Sequence, residues 1–214
     1  MKVLYESESE FNDFTVTREG DIVSLWSKGS VRQSAVNVKS NIPFLEYARK
    51  MILSLSFCRN PKSILVIGLG AGAIPSMLRR IFPNAGIDVI EIDFEAARIA
   101  NKFFKFDTNE NMRLYIGDGM EYINSLVSSH DIKNYEIIIM DAYLGNRQPA
   151  HFNSAMFYAK IQKILSPEGI YVSNQINAQD TNCVENIRLM RSVFRKVSLL
   201  RCKNSSNVLA FCTI

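Results

Sequence analysis

The stretch KSILVIGLGAGAIPSMLRRIF, residues 62–82, decides the fold. An apolar run at 64–67 leads into the glycine-rich turn GLGAG, and a segment with apolar residues at helical spacing follows. A strand, a glycine turn and a helix in this order are typical of a nucleotide site. The glycines let the backbone approach the ligand, and the N-terminus of the helix offers free N–H groups to an anion. We therefore predict that Gly68, Gly70 and Gly72 bind a nucleotide.

Apolar runs and segments with helical spacing alternate from this point onward. Strands are predicted at 63–67, 87–91, 112–116, 135–141, 169–175, 197–201 and 207–213, and helices at 73–82, 94–104, 119–128, 153–165 and 181–194. Runs such as 64–67 and 137–140 do not alternate with polar residues, as in parallel strands covered by helices on both faces. Only the turn 203–206 separates the last two strands, which predicts an antiparallel hairpin. The sequence therefore predicts an α/β fold with a Rossmann-like, seven-stranded mixed sheet.

A small N-terminal β segment is predicted at residues 1–42, followed by a nucleotide-binding catalytic domain at 43–214. Short β-rich runs begin at residue 13, with turns at 19–21 and 28–30. The preceding residues, MKVLYESESEFNDF, are acidic and broken. A helix is predicted from Phe44 to Leu55, because the apolar residues there have helical spacing, and Asn60-Pro61 ends it.

The composition narrows the function class. Hydrophobic residues make up 47% of the chain and charged residues 21%, with a net charge of +4. That charge is too small to indicate a nucleic-acid partner, and we interpret the basic stretch 188–203 as a solvated face. The four cysteines are scattered, so no metal site is predicted. No apolar run approaches the roughly 18 residues of a membrane span, and the start is not a signal peptide, so we expect a cytoplasmic protein without a membrane partner.

The identity of the nucleotide depends on residues beyond the turn. The spacing Gly68-x-Gly70-x-x-Ala73 fits dinucleotide enzymes, and Gly68-x-Gly70-x-Gly72 fits enzymes that use S-adenosylmethionine (SAM). Glu91 ends the second strand, where an acid can accept both ribose hydroxyls, and Asp118 ends the third, near an adenine amino group. These acids, with the terminal hairpin, favour SAM over NAD. An ordinary polar strand end remains the alternative for either acid.

The sequence resembles the spermidine synthases and their relatives. The motifs ILVIGLGAGA, VIEID, IGDGMEYI, YEIIIMDAY and LSPEGIYV occur in the order of that family, and the resemblance covers roughly residues 13–213. It implies a nucleotide that is either SAM or decarboxylated SAM.

The resemblance also implies roles for individual residues. Glu91 resembles the family's ribose ligand, Asp118, followed by Gly119, its adenine ligand, and Gln33 the glutamine that reaches over the nucleotide. Asp141 resembles the catalytic aspartate. The acceptor side is implied for Tyr143, Asn146, Arg147, Gln148 and His151. His151 is more simply explained as a cap for the helix at 153 or as surface packing, and Tyr47 as core rather than as a pocket residue.

Three positions depart from the family pattern. An aspartate of the family's glycine turn is replaced by Ala71, the second aspartate after the fourth strand by Leu144, and a glutamate after the fifth strand by Asn177. A buried unpaired ammonium costs several kcal/mol, so a site that has lost three carboxylates is a poor one for putrescine. Ala71 is expected to face the amino-acid end of the nucleotide, where it suits intact SAM.

Methyl transfer from intact SAM to a small-molecule acceptor is the favoured function. One alternative is an aminopropyltransferase that uses decarboxylated SAM, and another is a nucleotide-binding protein without catalysis. The free edges of the N-terminal strands also predict a homodimer.

Overall fold

The computed structural model describes residues 1–27, 31–53, 57–145, 147–176 and 181–214, which form two sheets. The N-terminal sheet is antiparallel, in the order β1-β2-β3-β4-β5. Its strands are β1 (Lys2–Glu8), β2 (Asp13–Glu19), β3 (Ile22–Ser27), β4 (Val31–Asn37) and β5 (Ile42–Pro43). The predicted turn at 28–30 lies outside the described residues.

Strand β1 was not predicted, because its acidic residues mask the pattern. It pairs along its length with β2, and its apolar side contacts helix α3 (Phe94–Phe104). The ring of Tyr5 packs 5.3 Å from that of Phe103, and its hydroxyl donates to Glu95 at 3.1 Å. Tertiary contacts therefore stabilise a strand that the local sequence does not predict.

The second sheet has seven strands in the order β11-β12-β10-β9-β6-β7-β8. The strands are β6 (Ser63–Ile67), β7 (Gly86–Glu91), β8 (Met112–Ile116), β9 (Tyr135–Met140), β10 (Leu165–Gln175), β11 (Lys196–Arg201) and β12 (Val208–Thr213). Only β12 runs against its neighbours β10 and β11. The predicted α/β fold with a mixed seven-stranded sheet is thus confirmed, including the terminal hairpin.

Helices cover both faces of this sheet. Besides α3 they are α1 (Glu46–Met51), α2 (Ala73–Ile81), α4 (Gly119–Val127), α5 (Ala155–Ile164) and α6 (Thr181–Val193). Helix α1 ends well before the predicted position, and Leu55 lies outside the described residues. Alternate residues of β6 enter two separate cores, Ile64 with α1 and α2 and Leu65 with α5 and α6. None of the described helices is long and apolar enough to cross a bilayer.

The two sheets meet across a third apolar cluster, formed by the N-terminal sheet with α2 and α3. Phe14, Val16 and Leu25 pack there against Ala71 and Ile99. This contact fixes the N-terminal sheet above the carboxyl end of β6 and leaves a cavity between the two sheets.

Candidate active site

The cavity has a volume of about 670 Å³, within the range of small-molecule sites. Its floor is the carboxyl edge of the seven-stranded sheet, where β6 lies between β7 and β9 and the strand order reverses. Ligands of open α/β sheets bind at this crevice. Its roof comes from β4, α1 and the turn of the β11–β12 hairpin.

The glycine turn approaches the neighbouring strand end too closely for side chains. A Cβ on Gly68 would lie 2.4 Å from the carbonyl oxygen of Asp141, and Gly68 has φ +95°. Gly68 and Gly70 line the cavity, as predicted for cofactor-binding residues. Gly72 lies outside the cavity wall; a Cβ there would meet the ring of Phe106 at 2.7 Å. The structure therefore gives Gly72 a packing role.

Glu91 is held rigidly beside the glycine turn. Its Oε2 accepts from the N–H of Leu69 and its Oε1 from that of Asp93, both at 2.9 Å. Burial raises the pKa of Glu91, and these backbone donors oppose the rise. The backbone of Gly70 also donates to this carboxylate, which still has acceptor capacity left, and the side chain lines the cavity. This placement suits an acceptor for ribose hydroxyls.

Asp118 caps helix α4 and also lines the cavity. Its Oδ1 caps α4 by accepting from the N–H groups of Met120 at 2.7 Å and Glu121 at 3.1 Å. Its Oδ2 lies 3.5 Å from Nε2 of His151, which also lines the cavity. Gly119 follows in the wall, where a Cβ would lie 2.8 Å from the side chain of Ile67.

His151 does not cap α5. The hydroxyl of Ser154 accepts from the N–H of Phe157 at 3.1 Å instead. The ring of His151 packs edge-on against Phe152, with the centroids 4.2 Å apart. The capping interpretation is therefore wrong, and packing at the cavity wall is what the structure shows.

Asp141 lies at the centre of the floor, directly after β9. Its Oδ1 accepts from Nδ2 of Asn174 at 2.8 Å. Burial raises the pKa of Asp141 to about 7, against the opposing hydrogen bonds from Asn174 and Tyr47. A carboxyl group that ionises near neutral pH is suited to accept a proton from a nucleophile.

The predicted acceptor side is only partly assembled. Tyr143 lines the cavity and donates its hydroxyl to the carbonyl oxygen of Asn174 at 2.7 Å. Gln148 lies outside the cavity wall, and its Oε1 is buried without a partner in the described chain. Asn146 and Asn177 lie outside the described residues. Of the described residues predicted for the acceptor side, the structure therefore places Tyr143 and His151 at the cavity, and Arg147 and Gln148 outside its wall.

Two residues of the roof are brought together by a bulge and by α1. The register between β3 and β4 shifts beside Gln33, which leaves it facing the cavity. The hydroxyl oxygen of Tyr47 lies 3.1 Å from the carbonyl oxygen of Gln33, and its single proton is shared between this oxygen and Asp141. Tyr47 also lines the cavity while packing against the core, so it fills both roles considered for it.

Ala71 does not have the predicted environment. It is 1% exposed, packs in the apolar cluster below the N-terminal sheet, and is absent from the cavity wall. The expectation that it faces the ligand is therefore not met. The wall continues instead from Gly70 to Ala73 and Ile74, in the first turn of α2. Gly72 at the N-cap supplies no side-chain cap, so this turn presents backbone donors to the cavity.

Three asparagines were missed by sequence reasoning. Asn12 lines the cavity at 4% exposure, and its Oδ1 has no partner among the described residues. Asn174 and Asn207 are also buried in the wall, joined by a hydrogen bond of 2.9 Å. No local pattern marks them, because each is a single polar residue in a loop or strand end. The orphaned amide of Asn12 and the acceptor Glu91 fit a nucleoside.

The model of the spermine/spermidine synthase domain matches residues 46–208, which contain all of the cavity floor. The chain belongs to the spermine/spermidine synthase family. The resemblance stated from the sequence motifs is thus confirmed.

The curated proteins similar to this chain have two kinds of activity in their names. The chain is 28% identical over 177 residues to the polyamine aminopropyltransferase of Vibrio vulnificus (strain CMCP6), which covers 80% of this chain and 58% of that protein. It is 29% identical over 184 residues to the eEF1A lysine and N-terminal methyltransferase of Homo sapiens, which covers 79% of this chain and 26% of that protein. The chain thus spans less than two thirds of either relative.

Solved structures similar to this chain also include a methyltransferase-like protein and a probable spermidine synthase. Human methyltransferase-like protein 13 in complex with SAH (S-adenosylhomocysteine) superposes with a TM-score of 0.73 at 29% identity, covering 79% of this chain and 82% of that one. A probable spermidine synthase from Corynebacterium glutamicum ATCC 13032 superposes with a TM-score of 0.80 at 18% identity, covering 100% and 81%. The fold is therefore that of transferases using SAM-type nucleotides.

Proposed function

We propose that this protein transfers a methyl group from intact SAM to a small-molecule acceptor. The observation that carries the proposal is the set of carboxylates in the described cavity wall: Glu46, Glu91, Asp118 and Asp141. Glu46 is already paired with Lys50 at 2.7 Å, and Glu91 and Asp118 lie at the positions proposed for ribose and adenine. Asp141, held by the amide of Asn174, is therefore the one carboxylate of the described wall left to act on the acceptor.

Aminopropyl transfer to putrescine would bring more positive charge into this cavity. Decarboxylated SAM carries a sulfonium and an ammonium group, and putrescine carries two further ammonium groups. Desolvating such groups without carboxylate partners costs several kcal/mol each. In intact SAM the molecule's own carboxylate balances the charge of the ammonium. The protein therefore has to supply fewer carboxylate partners.

The first turn of α2 favours the carboxylate of intact SAM. Ala73 and Ile74 line the cavity at the uncapped N-terminus of a nine-residue helix. Free N–H groups and the positive end of the helix dipole attract an anion and repel a bare ammonium. Because Ala71 is buried, this support for intact SAM comes from the backbone of the turn rather than from that side chain.

Bound SAM supplies an electrophilic methyl group on a sulfonium. The protein contributes mainly position and orientation, which can account for much of the rate of such a displacement. Asp141 accepts the proton that the acceptor's nitrogen or oxygen loses as its new bond to carbon forms. Asn174 holds the carboxylate in place from β10. Since the human relative is named for methylating lysine and an N-terminus, an amine nitrogen is the first acceptor atom to test.

Aminopropyl transfer is the second candidate, supported by the Vibrio relative and by the position of Asp141 at the end of β9. Product analysis separates the candidates. The protein is incubated with SAM and a panel of primary amines, and separately with decarboxylated SAM and putrescine. Release of SAH with an acceptor gaining one methyl mass supports the proposal. Spermidine with methylthioadenosine would overturn it, and a bound but unconsumed nucleotide in both arms would favour a non-catalytic protein.

A further inference from the structure

Two buried amides connect Asp141 to the terminal hairpin. Asn174 donates from Nδ2 to Oδ1 of Asp141 at 2.8 Å, and Asn207 donates from Nδ2 to Oδ1 of Asn174 at 2.9 Å. Asn174 is 1% exposed and Asn207 is 9% exposed. Both amides are therefore nearly buried in the cavity wall, and the Asn174 amide has a partner on each side.

The direction of these hydrogen bonds follows from the chemistry of the groups. An ionised carboxylate only accepts, so Asn174 must turn its NH₂ group toward Asp141. Its carbonyl oxygen then points toward the hairpin and requires a donor there. Asn207 provides that donor. An acceptor at position 207 would instead attract the NH₂ group of Asn174 and turn its carbonyl oxygen toward Asp141.

The hairpin that contains Asn207 is held against α1 by hydrogen bonds. Glu46 accepts from the backbone N–H groups of Lys203 at 3.1 Å and Asn204 at 2.9 Å. Lys50, which pairs with Glu46, donates to the carbonyl oxygen of Arg201 at 3.1 Å. The pKa of Glu46 is lowered to about 2 by Lys50 and these backbone donors, so Glu46 is ionised at neutral pH and keeps these hydrogen bonds.

We propose that Asn207 is a positioning residue that fixes the orientation of the Asn174 amide and so keeps a hydrogen-bond donor on Asp141. The proposal rests on the proposed function in giving Asp141 the role of the base. Asn207 does not touch the reacting atoms; it determines which end of Asn174 faces them. The proton affinity of Asp141 is then set from the hairpin through two amides.

Other groups that face Asp141 must stay constant in any test. Tyr47 from α1 and Tyr143 from the loop after β9 are the titratable side chains close to it. The charged or titratable residues elsewhere in the described wall are Arg32, Glu46, Arg49, Glu91, Asp118 and His151. All of these remain in place when only the hairpin is changed.

The test is a carboxyl titration by carbon-13 NMR of nucleotide-free protein, with the Asp141 signal assigned by its absence in Asp141→Asn. Asn207→Asp replaces a donor by an acceptor of nearly the same shape. The Asp141 midpoint should rise by about one to two pH units, the value of a lost charge-assisted hydrogen bond. Asn204→Asp is the control for added charge, because it places a carboxylate at an exposed position of the same hairpin, and its shift should be less than half as large.

Equal shifts in the two variants would overturn the proposal, since charge alone would then explain both. An unshifted midpoint in Asn207→Asp would also overturn it. Should that variant fail to fold, the parent gives a second measurement by nitrogen-15 NMR. The side-chain NH₂ signals of Asn174 and Asn207 should both follow the Asp141 titration, and an Asn207 signal that does not respond would contradict the proposal.

Kinetics provide the functional readout. In Asn207→Asp the rising limb of the pH profile of kcat/KM should move to higher pH by the same amount as the carboxyl midpoint. At about pH 7 activity should fall on the order of tenfold and recover at higher pH. The titration needs no turnover, so a protein without transferase activity would refute the proposed function while leaving this inference tested on its own.

Discussion

Replacing Asp141 by Asn should abolish the base while leaving the nucleotide site intact. The amide can still accept from Nδ2 of Asn174, so the geometry of the floor is retained. A positioned general base contributes about 10²–10⁴-fold to rate, and kcat/KM should fall within that range. In the parent, kcat/KM should increase about tenfold per pH unit and level off above about pH 7, the pKa of Asp141.

The same substitution should stabilise the fold at neutral pH. The pKa of Asp141 is about 7 in the folded protein and 3.8 for a free side chain, so the folded state binds the proton more tightly. Its contribution to stability is fully present below about pH 4 and is lost as the pH rises through 7. Relative to Asp141→Asn, the parent should lose about 1–4 kcal/mol of unfolding free energy across that interval.

Both effects are measurable on one pair of proteins. Initial rates of SAH release from about pH 5 to pH 9 give the kinetic profiles, and urea unfolding at about pH 5 and pH 8 gives the stabilities. A variant that turns over as fast as the parent would refute the assignment of Asp141 as the base. A parent profile that is flat across this range would refute the role of its raised pKa.

Three further substitutions and one control test the nucleotide site and the glycine turn. Glu91→Ala should weaken SAH binding by about 1–3 kcal/mol in calorimetry, as ribose hydroxyls lose an acceptor, and unchanged affinity would remove the ribose assignment. Asn12→Ala should weaken SAH binding by about 0.5–1.5 kcal/mol without lowering Tm, because its Oδ1 has no protein partner to lose. Gly68→Ala should prevent folding or lower Tm sharply, since its Cβ would meet Asp141. Gly20→Ala, also at positive φ but with nothing within 4 Å, should cost far less, and similar losses would contradict the steric argument.

The local sequence was sufficient to predict that the glycine turn, Glu91 and Asp118 lie together at one edge of the sheet. The glycine turn, Glu91 and Asp118 each follow a recognisable strand, and the carboxyl ends of parallel strands meet at one edge. Their positions could therefore be inferred from order along the chain alone. The terminal hairpin was also predictable from the local sequence. The turn between its two strands is so short that they can pair only in antiparallel orientation.

Contacts between distant segments account for what the sequence did not predict. Asn12 and Asn207 lie at the cavity although they come from opposite ends of the chain. No sequence pattern near either residue predicts that position. Ala71 was expected at the ligand because of its place in the motif, but packing of the N-terminal sheet covers it. Strand β1 forms because Tyr5 finds contacts on α3, which no local propensity encodes.

The choice of donor is tested most directly by calorimetric titration of the parent protein with SAM and with decarboxylated SAM. The two ligands differ only in the carboxylate that we assign to the first turn of α2, where Ala73 and Ile74 line the cavity. SAM should bind more tightly by about 1–3 kcal/mol, the range for a charge-assisted hydrogen bond. Tighter binding of decarboxylated SAM would contradict methyl transfer and restore aminopropyl transfer as the function.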